Sequence, residues 1–268
     1  MNPYIELLRP SVCFMTVLGL IVGGIVTGTF SFSYVFAVAL ISAFLICGSG
    51  DVINDYLDHK IDKISMPHRP IPSGRATRKN AFNLFVIAGV IGIILSYFVG
   101  PYFFAIAAVN FVISTAYAYK LKRIIFLKNV SVAWLAASSF LAAGFVGGVA
   151  INGALLLLVV ISFLAALSRE MLKDVRDVAG DRSAKITTVP LALGEKPARI
   201  IAMIFLYAAC VLLALPFYYG FFSAYYWIGA VPAIALCLYA SSLKIRKSEK
   251  IVKIATYLVF LGFLLGSL

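Results

Sequence analysis

The chain has 268 residues, of which 62% are hydrophobic and only 13% charged, with a mean hydropathy of +1.00 and a formal net charge of +12. A soluble domain carries about a quarter charged residues, so the composition excludes a soluble globular protein. Open sheet edges cannot sit in lipid, which leaves an all-α integral membrane protein as the expected fold class.

Taken in order, nine apolar runs are each long enough to cross a bilayer as a helix, which needs about 20 residues. They cover roughly 10–28, 32–52, 80–99, 101–119, 128–149, 153–170, 198–219, 221–243 and 251–268. The first carries Gly19, Gly23, Gly24 and Gly28, and the fifth Gly144 and Gly148. Small residues four apart are read as close helix packing. The second run leads into Asn54-Asp55-Tyr56-Leu57-Asp58-His59-Lys60-Ile61-Asp62, with Asp51 one turn earlier. A basic connection, His68-Arg69-Pro70-Ile71-Pro72-Ser73-Gly74-Arg75, follows; its prolines and glycine end any helix. The third and fourth runs form a hairpin turned at Gly100-Pro101, and the fourth ends in Tyr117-Ala118-Tyr119-Lys120-Leu121-Lys122-Arg123. The sixth passes into Lys173-Asp174-Val175-Arg176-Asp177-Val178-Ala179-Gly180-Asp181. The last connection, from Lys244 to Lys250, reads as a plain basic loop that anchors orientation. Cys13, Cys47, Cys210 and Cys237 lie in apolar runs with no CxxC pair, and read as small core residues.

The 23 Lys and Arg fall in five places: at Arg9, from Lys60 to Lys79, from Lys120 to Lys128, from Arg169 to Arg199, and from Lys244 to Lys253. Threaded through nine helices, all five lie on one side of the membrane. The opposite connections, near Thr29, Gly100, Asn152 and Gly220, carry none. By the positive-inside rule the N-terminus and the acidic loops are cytoplasmic and the C-terminus is outside. The basic excess is therefore a topology signal, with attraction to anionic lipid or a phosphate substrate as a second use. That excludes a nucleic-acid partner, and no obligate protein partner is evident. The eleven acids sit in the same places. A cation transporter, the alternative from another class, normally keeps ionisable residues near the bilayer midplane.

Asp55, Asp58 and Asp62 stand three and seven residues apart, and Asp174, Asp177 and Asp181 repeat that spacing. A helix turns once in ~3.6 residues, so each trio shares one helix face. Six clustered carboxylates need a cation, and oxygen-only donors without a Cys or His cluster select a hard ion, Mg2+ before Zn2+. The two stretches suggest a metal-bound anion at a membrane surface. Arg69, Lys120, Lys122, Arg123 and Arg176 stand ready to neutralise the outer oxygens of a diphosphate leaving group. His59 reads as a bystander.

These residues resemble the UbiA-type intramembrane prenyltransferase family. Its NDxxDxxxD motif is matched by Asn54, Asp55, Asp58 and Asp62, and its DxxxD motif by Asp177 and Asp181, with Asp174 as an added acid. Its YxxK segment is matched by Tyr117 and Lys120. The resemblance covers the whole chain and implies one membrane-embedded domain over 1–268: nine helices bundled around a central cavity capped by cytoplasmic acidic loops. It implies Mg2+-dependent transfer of a polyprenyl chain from its diphosphate. Asn54, Asp55, Asp58, Asp62, Asp174, Asp177 and Asp181 would hold the metal. Asp58, Asp62, Asp177, Asp181, Lys120 and Tyr117 would carry catalysis. Arg9, Arg69, Arg75, Lys120, Lys122, Arg123 and Arg176 would bind substrate. Tyr117, Tyr119, Phe111 and Phe163 are candidates to stabilise an allylic cation with an aromatic face. The run from His68 to Arg75 looks like the branch that attaches geranylgeranyl to the hydroxyl of geranylgeranylglyceryl phosphate, a lipid-phosphate acceptor, in archaeal ether-lipid synthesis. An aromatic acceptor such as 4-hydroxybenzoate, or a quinone or haem precursor, is the alternative. A CDP-alcohol phosphotransferase is excluded by the absence of a DGxxAR segment.

Overall fold

Helices account for all the regular structure in the computed structural model, which describes residues 2–183 and 187–267. In chain order they are α1 (Pro3–Leu7), α2 (Pro10–Thr27), α3 (Tyr34–Ser65), α4 (Arg78–Val99), α5 (Pro101–Tyr119), α6 (Leu127–Ala143), α7 (Gly153–Ser183), α8 (Val189–Leu193), α9 (Glu195–Leu212), α10 (Leu215–Tyr218), α11 (Trp227–Ser242) and α12 (Ile245–Gly266). Their starts are written in the sequence. Ser33 Oγ accepts from the Phe36 N–H at 3.3 Å, Thr77 Oγ1 from Asn80 at 3.2 Å and Asn152 Oδ1 from Leu155 at 2.8 Å. Each satisfies a donor the helix leaves open. Pro10 and Pro101 occupy first-turn positions, where the missing N–H costs nothing.

Helices α3 and α7 are the longest, at 32 and 31 residues. At 1.5 Å per residue such a helix is about 48 Å long, against a hydrocarbon core of about 30 Å. About 20 residues from Tyr34 the chain reaches Asn54, and about 20 from Gly153 it reaches Lys173. Each acidic stretch thus begins where its helix leaves the apolar layer, and it stays helical. Packing divides into two parts. Around α3 lie α2, α4 and α5; around α7 lie α6, α9 and α12, with α11 against α12. The α2–α6 and α5–α6 contacts join them.

Inside lipid there is no hydrophobic drive between helices, so close backbone approach matters. A Cβ on Gly23 would lie 2.7 Å from the Phe140 carbonyl of α6, and Gly229 of α11 meets Leu258 and Gly262 of α12 backbone to backbone. The expected packing role of the glycines in the first run therefore holds for Gly19 and Gly23. It holds also for Gly144, just past the end of α6, where a Cβ would meet Leu155 of α7 at 2.7 Å, but not for Gly148, which with Gly147 turns the chain at φ 159° and 73°.

Among the described residues, seven helices are long and apolar enough to cross a membrane by length and composition, against the nine expected runs. The run at 128–149 yields only the 17 residues of α6. The run at 251–268 belongs to a helix that starts earlier, at Ile245, and brings Arg246, Lys247, Glu249, Lys250 and Lys253 into its first turns. The stretch read as a basic loop is therefore helical from Ile245. Lys and Glu are good helix formers, and hydropathy does not register that.

Candidate active site

The overhanging ends of α3 and α7 face basic side chains from several other segments. On α3, Arg9 binds Asp51 at 2.9 Å and also bonds Asp55. Arg69, from the connection after α3, holds Asp55 at 3.2 Å and Asp62 at 2.8 Å. Lys122, from the α5–α6 connection, reaches Asp58 at 2.5 Å and Asn54 at 3.1 Å. The first trio keeps one face but divides its partners, Asp55 and Asp62 sharing Arg69 and Asp58 taking Lys122. Three residues turn a helix by ~300°, which leaves Asp58 ~60° around the axis from Asp55, while Asp62 returns to within ~20°. Asp55 and Asp62 are buried, at 4% and 5% exposure, and share one guanidinium. Unpaired carboxylates at that depth would be costly.

On α7, Asp174 is buried and held by Lys128 at 2.6 Å and Asn129 at 2.8 Å, both from the start of α6. Asp177 is exposed and takes two hydrogen bonds, at 2.8 and 2.7 Å, from its neighbour Arg176. Asp181 is half-buried, and its Oδ2 lies buried near the Thr188 hydroxyl. Arg176 also reaches Glu249 of α12 at 3.0 Å, and Arg169 pairs with Glu249 at 3.3 Å and Glu170 at 3.5 Å.

Tyr117, near the end of α5, lies within electrostatic reach of Asp58 from the first stretch and of Glu170 and Asp174 from the second. The two stretches therefore converge near it. Lys120 and Arg123 are exposed, flanking Lys122. Arg75 is turned to Glu6 of α1 at 2.7 and 3.0 Å and to the His68 carbonyl, so it ties the N-terminal helix to the loop. Its guanidinium holds the Glu6 carboxyl below the usual range. Phe111 stacks on Phe85 with centroids 5.7 Å apart, while Tyr119 is exposed.

Among the described residues, two that are not glycine, Arg9 at φ 46° and Phe126 at φ 65°, have positive φ. Side chains rarely adopt that region, and where they do the strain often marks a functional site. Arg9 precedes α2 and grips the α3 acids; Phe126 precedes α6, whose Lys128 and Asn129 grip Asp174.

Lys128, Asn129, Arg169, Glu170 and Glu249 were not singled out in the sequence. Glu249 had a signal: it is the single acid in the basic segment 244–253. Asp174 and Lys128 are 46 residues apart, a pairing no local spacing encodes.

The donor set is carboxylate and amide oxygen, the chemistry that fits Mg2+. Among the described residues no three of these carboxylates come within 4.8 Å of one another. Mg2+ commonly takes one or two carboxylates and completes its shell with water and phosphate oxygens.

The profile of the UbiA prenyltransferase family matches residues 12–264. Digeranylgeranylglyceryl phosphate synthase of Methanopyrus kandleri is 36% identical over 270 residues, which covers 98% of both chains. A solved structure of a digeranylgeranylglyceryl phosphate synthase superposes with a TM-score of 0.86 at 29% identity, covering 99% of this chain and 97% of that one. A UbiA homologue from Archaeoglobus fulgidus, solved with GPP and Mg2+, shares the fold at a TM-score of 0.77 and 17% identity, covering 99% and 100%.

Proposed function

The chain belongs to the UbiA prenyltransferase family, and on that premise we propose that it transfers a geranylgeranyl group from its diphosphate to the hydroxyl of geranylgeranylglyceryl phosphate, releasing diphosphate. The whole chain acts as one membrane-embedded catalytic domain. The observation that carries this reading is that the two acid-bearing helix overhangs, α3 and α7, are held by Lys122 and Lys128, which stand six residues apart, in the connection before α6 and in its first turn. The full-length similarity to digeranylgeranylglyceryl phosphate synthases supports the choice of acceptor.

Asn54, Asp55, Asp58 and Asp62 on one overhang, and Asp174, Asp177 and Asp181 on the other, would hold Mg2+. When bound, the metal neutralises charge growing on the departing diphosphate. Lys122 and Arg69 lie among the first acids and bind the outer diphosphate oxygens, with Arg9 beside them and Arg176 on the second overhang. Lys120 and Arg123 flank Lys122 and draw the anion in from solvent. As the allylic C–O bond breaks, Tyr117 turns a ring face to the cation. The apolar bundle below excludes water, so the acceptor hydroxyl captures the cation. The acceptor phosphate meets the basic loops, Arg75 among them. The side that carries these loops faces the cytoplasm, on the positive-inside argument.

The test is a transfer assay on purified protein. Radiolabelled geranylgeranyl diphosphate and Mg2+ are supplied with geranylgeranylglyceryl phosphate or 4-hydroxybenzoate, with chelator controls. Chelator-sensitive label in the doubly alkylated glycerol phosphate is the expected result. Label in the aromatic acid alone would reject the lipid acceptor, and transfer that resists chelation would reject the metal role of the acids.

A further inference from the structure

One helical turn from the Arg9–Asp51 ion pair lies a second, different set of donors. Cys13 stands four residues after Arg9 on α2, and Cys47 four residues before Asp51 on α3, so the pairs lie on matching faces of the two helices. One ligand atom each from Cys13, Cys47 and Asp51 lies within 4.8 Å of the others, the one such trio of His, Cys, Asp or Glu donors among the described residues. Gly48 keeps this corner tight: a Cβ there would meet Leu8 at 2.7 Å and the Cys13 sulfur at 3.4 Å.

The hydrogen bonding leaves a position to fill. Arg9 takes Asp51 Oδ1, while Asp51 Oδ2 is buried with no hydrogen-bond partner among the described residues. Such an orphaned oxygen needs an explanation. The Cys13 thiol donates to the Leu8 carbonyl at 3.0 Å, and the Thr16 hydroxyl donates to the Cys47 sulfur at 3.4 Å. A hydroxyl donor on sulfur favours the thiolate, the form that binds metal.

We propose that Cys13, Cys47 and Asp51 form a binding site for a thiophilic divalent cation such as Zn2+, separate from the oxygen donors that suit Mg2+. Two sulfurs and a carboxylate oxygen are three of the four ligands of a tetrahedral zinc site. The Leu8 carbonyl, freed when Cys13 loses its proton, supplies the fourth. Binding releases two thiol protons. Two thiolates and one carboxylate around a divalent ion leave one negative charge, which Arg9 balances from its place on Asp51. Sulfur ligands reject Mg2+, so the two ions do not compete for this site. The ion would cross-link α2 to α3 one turn from Arg9, whose guanidinium also holds Asp55. The proposal rests on this cluster alone and stands whatever the prenyl acceptor is.

The test is zinc X-ray absorption on the purified full-length chain, given one equivalent of Zn2+ with excess Mg2+ to fill oxygen sites. Wild type is expected to show two sulfur scatterers at about 2.3 Å. C210S/C237S, which leaves Cys13 and Cys47 as the only cysteines, is expected to keep both. C13S/C47S, checked for helical content by circular dichroism, is expected to show oxygen and nitrogen only. Absence of sulfur scattering in wild type overturns the proposal, whether or not either variant folds. So does its loss from folded C210S/C237S, or its survival in C13S/C47S.

Discussion

Replacing Arg69 with alanine removes the one guanidinium shared by Asp55 and Asp62. Asp55 keeps Arg9, but Asp62 keeps no ion pair among the described residues. Breaking a buried pair by deleting one partner costs about 3–5 kcal/mol. Arg69 is 28% exposed and water recovers part of that, so we take the low end, about 3 kcal/mol. At about 2.1 cal/mol/K per residue, 268 residues have an unfolding entropy of about 0.56 kcal/mol/K, so Tm falls by about 5 °C. The same vacancy raises the affinity of the acids for an external cation. Mg2+ at a hundred times its Kd would return about 2.7 kcal/mol, or about 5 °C. The assay is thermal unfolding in detergent across a Mg2+ titration, for wild type and Arg69→Ala. The variant is expected to melt lower without Mg2+, to close the gap as Mg2+ rises, and to respond more steeply than wild type. Parallel Mg2+ responses would refute the idea that these carboxylates hold the metal. Arg69→Ala/Asp62→Asn should recover much of the lost stability without Mg2+, because the stranded charge is gone.

Asp58→Ala and Asp177→Ala should each abolish transfer while the protein stays folded and membrane-inserted; normal turnover in either would remove it from the metal site. Lys122→Ala should raise KM for the prenyl diphosphate by roughly ten- to a hundredfold, the loss of a charge-assisted hydrogen bond worth about 1.5–3 kcal/mol. Lys120→Ala, at an exposed position, should raise it less; the reverse order in steady-state kinetics would reassign the diphosphate contact. Gly229→Leu should prevent α11 from docking on α12, since its side chain would enter the Leu258 and Gly262 backbone, and should appear as loss of folded protein in size-exclusion chromatography.

What the sequence shows plainly is whatever depends on local period and hydropathy. The spans of α2, α4 and α5 follow from their apolar runs. The helical continuation of α3 and α7 through their acids follows from the three-and-seven spacing, with no breaker before Pro67 in the first case. What it hides is whatever depends on distant partners. Glu249 sits in a segment that hydropathy reads as solvated, yet it is buried because Arg169 and Arg176 come to it from α7, more than 70 residues upstream. Gly144 and Gly148 carry the same four-residue spacing as Gly19 and Gly23, but the chain leaves the helix at Gly144, so only Gly144 packs, against Leu155, while Gly148 lies in the turn.

The clamps also account for a difficulty posed by the acids themselves. Clustered carboxylates at the end of a membrane helix need counter-charge before any metal arrives, or the helix ends would be forced apart. Arg9, Arg69, Lys122 and Lys128 supply it, from chain segments that charge patterning alone reads as membrane anchors. Under the proposed function, carboxylates that held Mg2+ would no longer pair with these same cations. The cations are then left facing the space where the diphosphate must lie, so anchoring, charge balance and substrate recognition fall to one set of residues. Lys122 states the case most simply. Its ammonium bonds both Asn54 and Asp58 across 68 and 64 residues of sequence, and it is offered to them from the single short turn, Leu121–Arg123, that follows the end of α5 at Tyr119.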